Sequence, residues 1–346
     1  MAFETVIKTK IETVESLIDH LQIAIELEHA TIPTYLCALF TIKEGTNLAA
    51  YDVIRSVVVE EMLHMTLACN VMNAVGGCPA INKPEFVAQY PTYLPHSSDE
   101  FKVHLRKFSP AAITTFMEIE QPSAPDSPPE PHQYQSIGQF YKGIQEGLEF
   151  LVNRDGEKAI FSGHKGDFRQ VSPNYYYGGG ELIEVNNLET AKMAMEIIVE
   201  EGEGLQSSIW DEDYDLFDQK PEVAHYFRFF EIMQGRFYKY PEDSIHTGPT
   251  GETLDVMWDA VYNMKADPKI ADYPVGSELR KRAEEFNQAY FMFLTDLHNA
   301  FNGRPDLLVA ATGNMFDLKR LAMELIKNPI PGSNGKHAGP TFEMPY

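Results

Sequence analysis

Three cysteines in 346 residues, at positions 37, 69 and 78, are too few and too irregularly spaced for a disulfide framework or a thiolate metal cluster. Cys37, Cys69 and Cys78 therefore read as buried small apolar residues. No stretch is long and apolar enough to cross a bilayer, and the amino terminus runs into Lys8, Lys10 and Glu12 without the apolar segment of a leader peptide. A cytoplasmic location and no membrane partner are the expectations. Basic residues are also scarce: 28 Lys and Arg stand against 51 Asp and Glu, a net charge of −23 that repels phosphate backbones and anionic membranes. Nucleic acid is not an expected partner. The length permits two domains or one enlarged domain around a well-buried core, and no fixed-period repeat is present.

What the chain has in quantity is helical periodicity. Val14, Leu17, Ile18, Leu21, Ile25 and Leu36 recur at spacings of three and four, predicting a helix from Ile7 to about Leu39 that Pro33 kinks or interrupts. A second runs from Tyr51 to about Val75 and stops at Gly76, Gly77 and Pro79. The two form an antiparallel pair. A short helix is expected from Ala111 to Glu120 after Ser109 and Pro110, then an extended, proline-rich connection from Gln121 to Pro131. The third bundle helix starts near Ser136 and carries Ile137, Phe140, Ile144, Leu148 and Leu151. Tyr175 to Tyr177 and Gly178 to Gly180 read as a turn-rich excursion flanked by short strands. A fourth helix begins near Asn187 and ends at Gly202 and Gly204, a fifth spans Pro221 to about Gln234, and two more cover Ser277–Asn302 and Pro305–Ile326.

Glu61 and His64 lie three apart on the second helix, so a carboxylate and an imidazole share one face. Glu-x-x-His is the pattern of ferritin-like carboxylate bundles that hold two metal ions, although a single copy arises often by chance. The neighbours strengthen it. Glu28 sits mid-helix among Ala24, Ile25 and Ile32 with no Lys or Arg beside it, and unpaired burial of a carboxylate is costly. In the third helix Glu146 is the candidate acid, with a surface role equally compatible and Glu149 a rival. Glu196, Glu200 and Glu203 form a row of like charges that a cation would relieve, while Glu201 is placed on the solvated face. Because Glu203 stands where a second Glu-x-x-His would have its imidazole, His225, at the head of an aromatic run, is the candidate replacement. A core histidine, or a cation stacked among Tyr226, Phe229 and Phe230, is its rival reading. The candidate metal set is Glu28, Glu61, His64, Glu146, Glu200, Glu203 and His225. Oxygen donors with one or two imidazoles suit iron, as two ions, or manganese.

The fold expected is mainly α: a ferritin-like four-helix bundle with loop insertions over residues 1–238, and additional C-terminal helices over 239–346 packed on it. The chain resembles the ferritin-like domain of iminophenylpyruvate dimer synthase type, found in bacterial bisindole pigment pathways. The resemblance covers nearly the whole chain. It rests on Leu27–Pro33, Glu60–His64 with Asn70 and Gly76-Gly77, Ile119-Glu120-Gln121-Pro122, Ser136–Tyr141, Ile198–Gly204, His225–Phe229 and Ala338–Glu343. It implies a metal site at Glu28, Glu61, His64, a third-helix acid, Glu200 or Glu203, and His225. Gln139 stands where many relatives carry an acid, and the fourth helix lacks the ferritin histidine.

Three functions follow as expectations. The first is a di-iron oxidoreductase acting on a small organic, amino-acid-derived substrate of secondary metabolism, its pocket shaped by the aromatics near His225. The second is non-redox imine or enamine coupling with the metal as Lewis acid, separable by oxygen dependence. The third is metal storage or a structural role without catalysis. A small-molecule partner and self-association into a homo-oligomer complete the expectations.

Overall fold

The computed structural model describes residues 10–95, 97, 101–122, 128–129, 134–163, 170–176, 178–204, 208–214 and 221–344, with backbone alone at 212–214. The architecture is mainly α. Helix α1 (Val14–Thr41) starts later than the periodicity suggests because the Thr13 side chain caps it by accepting the Ser16 N–H; the expected first turns reach into residues 1–9, outside the described residues. The helix continues through Pro33 and does not end there. In the turn beneath the ring, side chains reach the backbone carbonyls: Thr31 Oγ1 lies 2.8 Å from Glu28 O, and the Tyr90 hydroxyl donates to Ala30 O (2.6 Å). Helix α2 (Leu48–Ala74) stops where Gly76 takes φ +88° and the Gly77 N–H turns back to Met72 O.

Helix α3 (Pro110–Ile119) is capped by Ser109, α4 (Ile137–Asp155) by Ser136, and a single turn, α5 (Glu157–Ile160), follows. Helix α6 (Leu188–Glu203) opens on a capping box between Asn187 and Thr190. The bundle closes because α1 packs on α2 and α4, and α6 packs on the same two helices. Buried Leu17, Leu21, Ala24, Leu63, Leu67, Phe140, Ile144, Ala194 and Ile198 fill it.

Two sequence expectations change here. Pro221–Val223 is not helical: it forms strand β2, antiparallel to β1 (Trp210–Tyr214), and helix α7 (His225–Gln234) begins only after extended Ala224. Around residue 175 the described residues form a 3-10 turn, Pro173–Tyr175, in place of flanking strands. Tyr177, and all of Gln121–Pro131 except residues 121–122 and 128–129, lie outside the described residues.

Helices α8 (Glu278–Phe301) and α9 (Leu307–Ile326) pair with each other, α9 resting on α1 and α8 on α2. One apolar core runs through both regions, joining Leu21 and Ile25 to Phe286, Leu294 and Leu325. Among the described residues no helix is long and apolar enough to cross a membrane.

Candidate metal centre

Spacing along each helix decides which side chains meet in the bundle. On α1, Glu28, Thr31 and Tyr35 follow each other at three and four residues, so all three face inward and are buried. On α2, Glu61 and His64 do the same, and Glu60 takes the neighbouring direction toward α7. Glu120 enters from the C-terminal end of α3, Tyr141 from α4, Glu201 and Glu203 from the last turn of α6, and His225 from the first residue of α7.

Each of four inward carboxylates has one oxygen held by a donor. Tyr141 donates to Glu28 Oε1 (2.6 Å), Thr31 to Glu61 Oε2 (2.7 Å), Tyr35 to Glu120 Oε1, and the Gly138 N–H to Glu203 Oε1 (2.5 Å). In the first three the second oxygen turns toward an imidazole. Glu28 Oε2 lies 3.7 Å and Glu61 Oε1 3.8 Å from His64 Nδ1, while Glu61 Oε1 lies 3.0 Å and Glu120 Oε2 3.8 Å from His225 Nδ1. Those distances to His225 Nδ1 come without the alignment of a hydrogen bond, which leaves that buried nitrogen unpartnered. The opposite nitrogens are engaged. His64 Nε2 donates to Glu201 Oε2 (2.8 Å) and His225 Nε2 to Glu60 Oε2 (2.9 Å). Glu28, Glu61, His64, Glu120 and Glu203 line a cavity of about 10 Å³, closed by Ile137, Ile198 and Gly202. Ligand atoms of Glu61, His64 and His225 fall within 4.8 Å of one another.

The charges do not balance. Burial and the adjacent Glu120 push the Glu61 pKa up to about 7, and burial raises that of Glu201. Burial alone would lower the His64 pKa, but Glu201 and Glu28 hold it at about 10; likewise the carboxylates facing His225 outweigh burial and carry its pKa well above the usual value. Glu60 is different: Arg228 and His225 overcome burial and hold it at about 2. Glu28, Glu61, Glu120, Glu201 and Glu203 thus bring five acids to two imidazoles, and Arg228 is already engaged by Glu60 and Asp211. Concentrated buried acid of this kind is stabilised by bound cations.

Of the residues singled out from sequence, Glu28, Glu61, His64, Glu203 and His225 converge. Glu146 does not: it lies on the exposed face of α4, about 200° around the helix from Ile144, and the inward polar group of α4 is Tyr141. Glu200 is half-buried on α6, and Glu201, expected in solvent, is the carboxylate that reaches His64. Its signal was present, since Ala191, Ala194, Ile198 and Glu201 form one stripe at spacings of three and four. Glu120 was also missed as a site residue; it caps the end of α3, where periodicity gives no direction. Gln139 stays outside the centre, bonded to Pro128 O and the Gln135 N–H. Gly180 lets the loop after the 3-10 turn cross the centre: at φ +79°, a Cβ there would lie 2.4 Å from Leu63 Cδ2 and 3.5 Å from Glu201 Oε1.

Comparison with known proteins agrees with this fold. Residues 21–234 match the family model described as ferritin-like. A dichlorochromopyrrolate synthase of Lentzea aerocolonigenes is 26% identical over 322 residues, an alignment covering 82% of this chain but 29% of that protein. The chain therefore spans under a third of that relative's length. The crystal structure of a ferritin like protein from Caulobacter vibrioides superposes with a TM-score of 0.64 at 24% identity, covering 92% of this chain and 97% of that one, a likeness of fold.

Proposed function

The chain belongs to the ferritin-like family, and we propose from that premise that its bundle interior holds a two-metal centre serving oxidation of a small organic molecule. The observation that carries the proposal is the division of labour within the carboxylates. Glu28, Glu61 and Glu120 each fix one oxygen on a hydroxyl and turn the other toward a ring nitrogen, Nδ1 of His64 or His225. Outer donors of this kind orient metal ligands. Glu28, Glu61, His64, Glu120, Glu203 and His225 would hold the ions, with Glu201 and Glu60 behind the two imidazoles.

The donor set fits the metal the fold implies. Oxygen ligands with two imidazoles and no thiolate suit iron, with manganese the alternative; Cys37 and Cys69 lie in the apolar core as expected, while Cys78, also expected to be buried, is exposed. When bound, such ions supply redox and Lewis-acid chemistry toward dioxygen and an organic substrate. The protein's own part is to exclude water and fix orientation. Ile137 and Ile198 close the cavity, and Tyr35, Thr31 and Tyr141 restrain the carboxylates. Similarity to a synthase directs the substrate search to small organic molecules of secondary metabolism, amino-acid-derived on the resemblance described above.

Metal analysis of protein purified without chelator tests the proposal, with about two irons per chain expected. Glu61→Ala should abolish retention, because Glu61 faces both imidazoles. A wild-type protein that takes up neither iron(II) nor manganese(II) on titration would refute it. Activity that persists without oxygen would transfer the chemistry to metal-assisted coupling without oxidation.

A further inference from the structure

Arg228 is 3% exposed, and its guanidinium is committed in every direction. Nε donates to Val223 O (2.5 Å), Nη1 to Glu60 Oε1 (2.7 Å) and Ser56 Oγ (3.1 Å), and Nη2 to Asp211 Oδ2 (2.8 Å). One side chain thus ties β1, β2 and α2 to α7, one turn beyond His225. Buried ion networks seldom stabilise a fold more than well-packed apolar groups of the same size would. The arrangement therefore calls for a use beyond stability, and Glu60 supplies one. Its Oε1 is fixed by Arg228 and its Oε2 accepts from His225 Nε2.

We infer that Glu60, Arg228 and Asp211 form a buried anchor that positions His225, holding the ring with its proton on Nε2 and Nδ1 presented to Glu61 and Glu120. The inference rests on the metal-centre reading above and deepens it. An ionised carboxylate only accepts, so the nitrogen facing Glu60 must carry hydrogen, and the opposite nitrogen is the one free to ligate. Arg228 keeps Glu60 ionised and stationary. Asp211 grips the far end of the guanidinium, so the ring direction is set by a chain that begins outside the bundle, in the β hairpin. His64 has a simpler version, with Glu201 on Nε2 and no arginine behind it in the contacts described.

Glu60→Gln exposes the logic. A glutamine whose oxygen satisfies Arg228 turns its amide hydrogens toward His225 Nε2, which must then accept; the ring proton moves to Nδ1 and blocks ligation. The reverse orientation sets two donors against each other at Arg228. The first orientation removes His225 as a ligand while volume and packing are kept, and the donor clash at Arg228 disfavours the second.

The test is titration of the metal-free protein with cobalt(II), a paramagnetic probe, with proton NMR spectra in H2O and D2O. In wild type, each imidazole should give an exchangeable, hyperfine-shifted ring N–H resonance. E60Q should bind cobalt about 10- to 100-fold more weakly and lose the His225 resonance while keeping that of His64. H225Q measures the whole contribution of the ring, and the double variant E60Q/H225Q should bind no more weakly than H225Q, because Glu60 acts through it. R228K, which keeps the carboxylate but not the fork, should fall between wild type and E60Q. E60Q with wild-type affinity and an unchanged His225 resonance would overturn the inference, as would losses that simply add in the double variant. Circular dichroism of the metal-free variants checks folding; if E60Q does not fold, the affinity and resonance of R228K decide. Failure of the wild-type protein to bind cobalt would overturn the metal centre itself, before the anchor is at issue.

Discussion

The carboxylates behind the two histidines are as consequential as those in front of them. A ring whose Nε2 is tethered has one direction left for Nδ1, so the loss of Glu201 should be felt by a metal it does not touch. Glu201→Ala is expected to weaken cobalt(II) binding about 10- to 100-fold, whereas Glu196→Ala, on the exposed face earlier in α6, should leave it unchanged. Equal affinities in calorimetric titration of the two variants would remove Glu201 from the centre. Reading the acids as a row of like charges favoured Glu196, Glu200 and Glu203; following the apolar stripe instead leads to Glu201. The charge row describes repulsion in an isolated helix, while the stripe reports which face is buried, and burial decides. Sequence made Glu28, Glu61 and His64 legible because they lie on long, regular helices. Glu120 and the partners of His225 depend on where a helix end and a pair of short strands cross, which local spacing does not encode.

Glu231 offers a separate check at this scale. Burial pushes its pKa up to about 8 from 4.5, while its Oε1 accepts the Tyr238 N–H. The folded state therefore keeps a proton that the unfolded chain releases, so the contribution is fully present below pH 4.5 and is lost as pH rises through 8. The shift corresponds to a ceiling of roughly 5 kcal/mol. Glu231→Gln keeps the acceptor and cannot ionise. Its advantage in thermal unfolding over wild type should grow from pH 5 to pH 8, and a constant difference across that range would show that Glu231 does not titrate in this window.

At the scale of elements, the helix starts marked by Ser or Asn were legible, while those of α1 and α7, and the strands, were not. Ser109, Ser136, Asn187 and Ser277 all cap the helices they precede, because a side-chain acceptor for otherwise unpaired N–H groups is a purely local device. Pro221–Val223 forms a strand through its pairing with Trp210–Tyr214, a contact outside its own stretch, and a three-residue strand has too little alternation to announce itself. The placement matters to the centre. Shortening α7 to start at His225 puts that ring in its first turn, where the hairpin rather than a preceding helical turn determines its approach. The Asn187 cap is far simpler. Asn187→Ala removes the acceptor for the Thr190 N–H at the end of α6 opposite Glu201 and Glu203, and should cost about 1 kcal/mol. The thermal unfolding midpoint should fall by about 1–2 °C, with cobalt affinity unaltered. A parallel loss of affinity would mean that the whole of α6, and not only its last turn, positions the ligands.

Across the whole molecule, the C-terminal helices reach the bundle through a chain of buried aromatics. Phe342 adopts φ +48°, a left-handed backbone that costs a bulky residue about 1–2 kcal/mol, so its contacts must outweigh that cost. Its ring lies edge-on to Phe286 and Tyr290, at 5.0 and 5.1 Å. The Tyr290 hydroxyl is in turn 2.5 Å from Nε2 of His29, the residue after Glu28, and the His29 ring packs tilted against Phe86 with centroids 4.5 Å apart. Nearby, Thr341 donates to Asn287 Oδ1 and Tyr273 to Gly339 O, tying the same segment to α8 and to the chain before it. If this continuity couples the two regions, Phe342→Ala should act on the entire protein. A buried Phe→Ala change costs about 3–5 kcal/mol, enough to lower the unfolding midpoint by about 4–7 °C. Far-ultraviolet circular dichroism, aromatic fluorescence and release of bound cobalt should shift together, as one transition. An early transition confined to part of the helical signal, with cobalt released at the wild-type temperature, would instead make α8 and α9 a separately unfolding unit, and the aromatic chain to His29 a contact without energetic reach.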